Sequence, residues 1–240
     1  MPALSDSFGL IRVINLPERK DRLREVTRQL AALGIKFEAA SVELYVAARP
    51  TELCGFDALG VRGCFLSHLA ILKDALARGV ESVLVMEDDC EVLARNLQRI
   101  GHVAQGLQGR EWGFCYLGHI EAVVEPAPGA LPGLIAFNGP VRMTHLYGIH
   151  GHILPALVEY LEGCLVRPPG DPVGGPMDVD GAFTMFRAAH PEVITLLAQP
   201  AMAVQRSSRS DIRFNRWELT PGLKQAMALI RGLRLRLKRR

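Results

Sequence analysis

Hydrophobic positions at the start of the chain follow first a strand-like and then a helix-like period, which predicts a βαβ unit. The apolar run at residues 11–16 has the length of a buried strand. A stripe at helical spacing follows it, formed by Leu23, Val26, Leu30 and Leu33. Gly34 stands where a helix-terminating glycine belongs, and the alternating apolar residues at 35–42 predict a second strand.

A further helix and strand are predicted before residue 90. Helical spacing from Gly63 onward is marked by Phe65, Leu69, Leu72 and Leu76. The apolar run at residues 83–86 then ends abruptly in Glu87, Asp88 and Asp89. Because this run does not alternate, it predicts a strand covered on both faces in a mostly parallel sheet. Ligands of such sheets bind beyond the carboxyl ends of the strands, so we expect a ligand beside these carboxylates.

The second half of the chain is rich in proline and glycine and predicts shorter elements. Residues 118–140 predict loops and short antiparallel strands, and residues 167–176 predict a loop. Pro155 suits the first turn of a helix. Strands are predicted at residues 114–117, 146–149 and 193–198, and a weakly patterned helix at 96–107. The prediction is an α/β fold with one domain at residues 1–219 and a loop-rich C-terminal half.

Charge separates residues 220–240 from the rest of the chain. The net charge of the 240 residues is +3, but this tail alone carries seven positive charges, so the body is mildly acidic. A mildly acidic body argues against a general nucleic-acid binder. Apolar residues recur at helical intervals among the basic ones: Leu223, Met227, Ile230, Leu233 and Leu237. This pattern predicts a basic amphipathic helix on an anionic membrane surface, although a disordered end or a docked helix also fits.

The remaining bulk properties predict a cytoplasmic protein. Hydrophobic residues make up 49% of the chain, which suffices for a sizeable core. No apolar run approaches the length of a membrane span, and the first ten residues lack the pattern of a secretory signal. The five cysteines are scattered without a CxxC pair, which indicates reduced thiols.

The three adjacent carboxylates at residues 87–89 are the first candidate site. Their mutual repulsion needs a cation or solvent to compensate it, so they predict a divalent metal that holds a phosphorylated ligand. A solvated acidic turn or a helix N-terminus is the alternative. Oxygen ligands suit Mg²⁺ or Mn²⁺. On an extended chain Glu87 and Asp89 share a direction as metal ligands, and Asp88 points elsewhere, for example to a ribose hydroxyl.

Two other pairs have a chemical and a structural interpretation each. Asp178 and Asp180 could supply a general base, or they could cap a helix at residues 181–187. Ser67 and His68 could be a buried hydrogen-bonded pair, or they could contact an anionic ligand at the first turns of their helix.

Basic residues and histidines add weaker candidates. Four arginines could clasp a diphosphate or could form a solvated basic face: Arg206, Arg209, Arg213 and Arg216. His150 and His152 flank Gly151 and could serve a metal. A zinc hydrolase of the HExxH type is excluded because that motif is absent.

Three stretches in order, VINLPERKDR at 13–22, GCFLSH at 63–68 and VLVMEDD at 83–89, resemble glycosyltransferase family 25. This family contains bacterial lipopolysaccharide and lipooligosaccharide glycosyltransferases and is related to the procollagen galactosyltransferases. The later stretches THLYGI, PMDVDGAF and QRSSRSDI extend the resemblance to residue 212.

The resemblance implies a Rossmann-like glycosyltransferase fold of the A type, a UDP-sugar donor such as UDP-galactose, and inversion at the anomeric carbon. It also implies Mn²⁺ or Mg²⁺ at Glu87 and Asp89. Our hypothesis for the base is Asp178 or Asp180. Together with the residue patterns it gives these donor-binding candidates: Asn15, Arg19, Arg22, Ser67, His68, Asp88, Gln205, Arg206 and Ser208.

The expected function is hexose transfer to a saccharide or lipid-linked saccharide of a cell-surface glycan, on the cytoplasmic face of the inner membrane. A sugar-nucleotide nucleotidyltransferase is one alternative, but it would have a glycine-rich loop after the first strand, where this chain has PERKDR. A non-catalytic, membrane-associated interaction module is the other.

Overall fold

The chain folds around a seven-stranded sheet with helices on both faces, beside a separate two-stranded sheet. The computed structural model describes residues 3–108, 110–121 and 133–206. Its strands are β1 (Leu10–Asn15), β2 (Val42–Val46), β3 (Ser82–Glu87), β4 (Cys90–Val92), β5 (Phe114–Tyr116), β6 (Gly133–Ala136), β7 (Leu146–His150), β8 (Thr195–Gln199) and β9 (Ala203–Gln205). Its α-helices are α1 (Lys20–Ala32), α2 (Leu59–Ala77), α3 (Ile100–Leu107), α4 (Leu154–Val166) and α5 (Val179–Ala189), and 3₁₀ turns span Leu4–Ser7, Ala94–Arg99 and Gly151–Ile153.

The large sheet has the order β2-β1-β3-β7-β5-β8-β6. The pairs β1–β2, β1–β3 and β5–β8 are parallel, whereas β7 is antiparallel to both its neighbours and β6 is antiparallel to β8. Five of the seven strands therefore point in one direction. The predicted α/β architecture with a mostly parallel, Rossmann-like sheet is confirmed, and the short antiparallel strand expected before residue 140 is β6.

The opening βαβ unit is present, but its second strand was predicted too early. Gly34 ends α1 with a φ of +75°, as its position indicated. The backbone N–H of Ile35 bonds to the carbonyl of Leu30 at 3.0 Å, which folds the chain back on α1. Residues 35–41 are turns whose apolar side chains pack against the core, so their alternation reflects docking and not pairing. The paired strand begins only at Val42.

Helix α2 begins four residues before the predicted start at Gly63. Ser67 and His68 therefore lie eight and nine residues inside the helix, where the backbone N–H groups are already bonded to carbonyls. The hypothesis that they contact an anion at the first turns of the helix is wrong. A Cβ atom at Gly63 would come within 2.6 Å of the Ala48 carbonyl oxygen, so glycine lets the chain after β2 approach α2 closely.

Strand β3 is buried on both faces, as its unbroken apolar run predicted. Val83 and Val85 belong to the core shared with α2, α4 and α5, while Leu84 and Met86 belong to the core on the face of α1 and α3. The carboxylates that follow β3 consequently emerge at the end of a strand that is fixed by two layers of packing.

The pair β4–β9 was not predicted from the sequence. It is antiparallel, and Cys90 lies opposite Gln205. The tail at 220–240 and the candidates Ser208, Arg209, Arg213 and Arg216 lie outside the described residues. Within the described ranges, no helix is long and apolar enough to cross a membrane.

Candidate active site

A cleft of about 290 Å³ opens at the carboxyl ends of β1, β2 and β3. Loop residues 47–50 after β2 and the first half of α2 form its other walls. Seven residues predicted for the site line this one cleft: Asn15, Arg22, Ser67, His68, Glu87, Asp88 and Asp89. Residues separated by more than seventy positions are thus brought together where a ligand of a parallel sheet is expected.

Asp88 points away from the other two carboxylates and is held by β1 and α1. Its Oδ2 accepts a hydrogen bond of 2.7 Å from Nδ2 of Asn15, and its Oδ1 pairs at 2.9 Å with the Arg22 guanidinium. All three side chains are buried. Because an ionised carboxylate is costly to bury alone, Arg22 and Asn15 stabilise Asp88 as an anion at the floor of the cleft.

Asp89 lies in the turn after β3 and keeps unused acceptor capacity. Its Oδ2 accepts a 3.1 Å hydrogen bond from Nε2 of Gln205, and its backbone carbonyl accepts from the N–H of Arg206. Oδ1 is buried and has no hydrogen-bond partner among the described residues. Burial, and then the negative charge of Glu87, raise the pKa of Asp89 to about 7.

Glu87, the last residue of β3, is held between α2 and the segment before β7. Its Oε1 accepts a 2.8 Å hydrogen bond from the Thr144 hydroxyl and lies 3.3 Å from Nε2 of His68. Burial alone would raise the pKa of Glu87, but the His68 ring and the Thr144 hydroxyl outweigh it, so this pKa is lowered. Glu87 is therefore an anion close to an imidazole.

Ser67 is a structural residue of the cleft wall. Its hydroxyl donates to the Gly63 carbonyl at 2.7 Å and accepts from the Ala48 N–H at 2.8 Å. The side chain is fully buried. Ser67 thus ties the loop after β2 to α2 at the close approach that Gly63 permits, in agreement with the buried alternative considered for it.

Two consecutive residues, Met143 and Thr144, link the second acidic motif (Asp178 and Asp180) to the first (residues 87–89). The backbone N–H of Met143 donates to Oδ2 of Asp180 at 3.0 Å, while the Thr144 hydroxyl bonds to Glu87. The Gly181 N–H donates to the other oxygen of Asp180 at 2.8 Å. Asp178 is exposed at the N-cap position of α5 but makes no side-chain cap hydrogen bond. The capping interpretation is therefore right about the position of Asp178, but the side chain does not make the hydrogen bond by which an aspartate caps a helix.

The other predicted donor-binding residues lie at the margin of the cleft or beyond it. Gln205 reaches Asp89 through β9, and Arg206 forms ion pairs with Glu25 and Glu91. Arg19 pairs with Asp21 at the start of α1 and is not among the residues that line the cleft.

His150 and His152 lie at the opposite end of the sheet from the carboxylates. His150 pairs with Ser82, the first residue of β3, whereas Glu87 is the last. Their Nδ1 atoms are 2.8 Å apart, so the two rings contact each other. The suggestion that either histidine serves the metal of the carboxylate motif is wrong.

Three residues that the sequence did not single out complete the site. Cys64 lies one helical turn before His68 on α2, and this i, i+4 spacing was visible in GCFLSH. Tyr147, on β7, places its hydroxyl 2.8 Å from Nδ1 of His68. Thr144 and Tyr147 lie in the stretch THLYGI that extends the resemblance, but the bond of Thr144 to Glu87 joins residues 57 positions apart and had no local signal.

The carboxylates fit a hard divalent cation. Asp89 offers a buried oxygen without a partner among the described residues, and Glu87 provides a neighbouring anion. Asp88 is already balanced by Arg22, so within residues 87–89 the two carboxylates that would hold Mn²⁺ or Mg²⁺ are those of Glu87 and Asp89.

Comparison with known proteins gives similarity to one group of glycosyltransferases. The chain is 25% identical to procollagen galactosyltransferase 1 of Danio rerio over 214 residues, which cover 80% of this chain and 34% of that protein. It is 24% identical to procollagen galactosyltransferase 2 of Mus musculus over 80% of this chain and 32% of that protein. The chain thus spans about a third of the length of these relatives. No family model matches the chain.

Two further similarities are shorter or more distant. An 80-residue stretch is 35% identical to inactive glycosyltransferase 25 family member 3 of Homo sapiens, over 32% of this chain and 13% of that protein. Among solved structures, a glycosyltransferase involved in glycosylation of the major capsid of PBCV-1 superposes with a TM-score of 0.48 at 12% identity, over 84% of this chain and 96% of that one. The resemblance carried by the three N-terminal motifs is confirmed at modest identity, and the chain is a homologue of glycosyltransferase family 25 proteins.

Proposed function

We propose that the chain is a glycosyltransferase that moves a hexose, with galactose favoured, from a UDP-sugar to a saccharide acceptor. The acceptor belongs to lipopolysaccharide, lipooligosaccharide or another cell-surface glycan, and the anomeric carbon is inverted. The names of the relatives support galactosyl transfer, and a carboxylate-lined cleft at the ends of parallel strands supports a nucleotide-sugar site.

The observation that carries this proposal is the link between the two acidic motifs. Met143 and Thr144 bond to Asp180 and Glu87 respectively, so adjacent residues of one segment hold a carboxylate of each motif. Glycosyl transfer needs charge stabilisation at the leaving group and a base near the acceptor hydroxyl. One short segment can therefore fix the positions of the Glu87 and Asp180 carboxylates relative to each other.

On the donor side, Glu87 and Asp89 would hold Mn²⁺ or Mg²⁺, which supplies positive charge against the leaving diphosphate. Asp88 keeps one further lone pair on each oxygen after its bonds to Asn15 and Arg22, so it can accept a ribose hydroxyl. Arg22 and Asn15 orient that carboxylate. Gln205 orients Asp89 from the other side of the turn.

On the acceptor side, Asp180 or Asp178 accepts the proton of the attacking hydroxyl. The acceptor oxygen then forms the new bond to the anomeric carbon while the bond to the UDP oxygen breaks and its electron pair leaves with UDP. Two backbone N–H groups, of Met143 and Gly181, fix the orientation of the Asp180 carboxyl. The oxocarbenium-like character of the reacting carbon follows glycosidase chemistry.

The membrane part of the proposal concerns residues 220–240. Their seven positive charges and helically spaced apolar residues support attachment to an anionic inner-membrane surface from the cytoplasm. A lipid-linked acceptor would be presented at that surface.

The test is a nucleotide-sugar screen with the full chain. We expect release of UDP from a UDP-hexose in Mn²⁺, stimulation by a saccharide acceptor, and loss of activity in EDTA. Asp89→Asn should lower the rate about 100-fold or more if Asp89 holds the metal. No turnover of any nucleotide sugar, with or without metal and acceptor, would contradict the proposal. If neither Asp178→Asn nor Asp180→Asn lowers turnover, the base is another residue.

A second candidate, a non-catalytic nucleotide-sugar-binding module, is favoured by the match to a relative that is named inactive. Calorimetric titration with UDP, with and without Mn²⁺, separates the two candidates. Metal-dependent UDP binding without turnover in the screen would favour the module, whereas binding with turnover favours the transferase.

A further inference from the structure

Three potential metal ligands of unlike chemistry meet in the wall of the cleft. The Cys64 thiol, the His68 imidazole and the Glu87 carboxylate each offer one atom, and these atoms all lie within 4.8 Å of one another. We propose that Cys64, His68 and Glu87 form a site for a thiophilic divalent transition metal such as Zn²⁺. This site differs from the oxygen-only pair Glu87–Asp89 because sulfur and imidazole ligands select Zn²⁺ over Mg²⁺ or Mn²⁺.

The geometry of the backbone produces this cluster. Cys64 and His68 are four residues apart on α2, so their side chains project from the same face of the helix. Glu87, at the end of β3, meets that face. The distance of 3.3 Å from Nε2 of His68 to Oε1 of Glu87 matches the edge of about 3.3 Å between two ligand atoms of a tetrahedron with bonds of about 2.0 Å.

His68 has the hydrogen bonding of a metal-ligating histidine. Its Nδ1 is 2.8 Å from the Tyr147 hydroxyl. Nε2, on a fully buried side chain, lies 3.3 Å from Oε1 of Glu87 but makes no contact with hydrogen-bond geometry within the described ranges. A partner on one ring nitrogen fixes the ring and leaves the other nitrogen for the metal. The Thr144 hydroxyl orients Glu87 in the same manner.

The cluster is accessible from solvent. Cys64 is half-buried, and all three residues line the open cleft, so a cation can reach them from solvent. Burial, and then the negative charges of Glu87 and of the other nearby carboxylates, raise the pKa of the Cys64 thiol, so the thiol keeps its proton until a cation binds beside it. Binding would release the thiol proton to solvent, because the thiolate is the ligand.

Glu87 belongs to both sites, so the two metals would compete. If the chain is the proposed transferase, Zn²⁺ bound to the Glu87 carboxylate would deprive Mn²⁺ or Mg²⁺ of that ligand and would therefore inhibit transfer. This consequence rests on the proposed function, whereas metal binding by Cys64, His68 and Glu87 does not.

The test uses Co²⁺ as a spectroscopic substitute for Zn²⁺ on the full chain. We expect one equivalent of Co²⁺ to produce the near-ultraviolet thiolate-to-cobalt charge-transfer band, which Zn²⁺ abolishes by displacement. Cys64→Ser should remove the band, and His68→Gln should weaken binding at least about 10-fold. Tyr147→Phe, which keeps the ring and removes the hydroxyl, should weaken it by about 10–100-fold.

Two controls exclude other ligands in the chain. Cys54→Ser, at an exposed cysteine, and the double variant His150→Ala/His152→Ala should both keep the band. Thermal melting of each variant in EDTA shows whether it is folded. Absence of the band in the folded wild-type chain, or its persistence in folded Cys64→Ser, would overturn the proposal.

Inhibition provides an independent readout. Zn²⁺ should inhibit transfer in the wild type, and Cys64→Ser should need at least about 10-fold more Zn²⁺ for the same fractional loss of its own rate. A chain that gives the cobalt band but never turns over a nucleotide sugar would refute the transferase and leave the metal site standing.

Discussion

At the scale of single residues, ionisation of Asp89 is unfavourable in the metal-free fold. Burial and then the charge of Glu87 raise its pKa to about 7, so the folded chain keeps the proton at a pH where the unfolded chain has lost it. Its contribution to stability therefore falls as pH rises from about 4 to about 7. A cation that binds Asp89 must displace this proton below pH 7, so metal affinity should rise with pH.

We predict that Asp89→Asn stabilises the metal-free chain at pH 8 by roughly 1–4 kcal/mol and by clearly less at pH 5, because at pH 5 the folded chain still keeps the proton and the ionisation of the unfolded chain has developed only in part. Urea unfolding in EDTA at the two pH values measures the difference. Glu159→Gln, at an exposed helix position, is the matched control. A variant less stable than the wild type at pH 8 would show that Asp89 is stabilised as an anion.

Asp88 shows the opposite arrangement, a buried carboxylate with its cation beside it. We predict that Arg22→Leu lowers the free energy of unfolding by about 3 kcal/mol, since it leaves Asp88 charged and buried without its guanidinium. Adding Asp88→Asn should recover much of this loss. Urea unfolding of the two single variants and the double variant gives the coupling energy, and purely additive losses would refute the pairing.

The sequence predicted the direction of Asp88 but not its partners. Asp88 was expected to point away from Glu87 and Asp89, and it does turn to β1 and α1. Its partners Asn15 and Arg22 lie 73 and 66 positions away, so no local pattern could identify them. The contact of Thr144 with Glu87 could not be predicted for the same reason, because the two residues are 57 positions apart.

At the scale of elements, the approach of α2 to the chain after β2 shapes one wall of the cleft. We predict that Gly63→Ala destabilises the fold by about 1–3 kcal/mol, because the new methyl group would lie 2.6 Å from the carbonyl oxygen of Ala48, a residue whose N–H is bonded to the Ser67 hydroxyl. The displaced loop should also weaken UDP binding. Chemical denaturation and calorimetry measure the two effects.

The matched control is Gly106→Ala in α3. Its methyl group would meet only the flexible end of the Leu134 side chain at 3.0 Å, and alanine favours helix over glycine by up to about 1 kcal/mol. We expect little change or a small gain in stability. Equal effects of both substitutions would mean that the contact with Ala48 is unimportant.

Elements with a continuous buried run or a regular buried stripe were the ones that the apolar pattern identified. β1 and β3 are buried along almost their whole length, and α1 buries one face that includes Val26 and Leu30. The segment at 35–41 failed because apolar side chains of a docked turn imitate the alternation of a strand. β4 and β9 were missed because three residues are too few for a period and neither strand is a continuous apolar run, as the equally short β5 is.

At the scale of the whole molecule, the direction of β7 brings the two halves of the chain to one site. β7 is antiparallel to β3, and Leu146 at its start lies opposite Met86 near the end of β3. Residues 143–145, which precede β7, therefore lie beside Glu87 and extend toward α5. A parallel β7 would place them at the other end of the sheet. The unbroken apolar run of β3 is compatible with either direction, so the sequence could not predict this junction.

We predict that Thr144→Val, which removes the hydroxyl but keeps the branched shape, weakens Mn²⁺ binding about 10–100-fold by releasing Glu87. Calorimetric Mn²⁺ titration of the folded variant measures this. Thr184→Val is the control, because the Thr184 hydroxyl makes only a 3.4 Å contact with the Val141 carbonyl and does not touch a carboxylate of the cleft. Unchanged affinity in Thr144→Val would place the metal away from Glu87.

The charge of the molecule is divided between an acidic body and a basic tail, and this division predicts membrane attachment. Seven positive charges at residues 220–240, each worth about 1 kcal/mol near an anionic surface, should hold the full chain on anionic vesicles and release it at high salt. A chain ending at Thr220 should remain in solution, and neither chain should bind neutral vesicles. Flotation measures the binding of each of the two chains to anionic and to neutral vesicles. Equal flotation of both chains with anionic vesicles would assign binding to the body, whose net negative charge opposes such a surface.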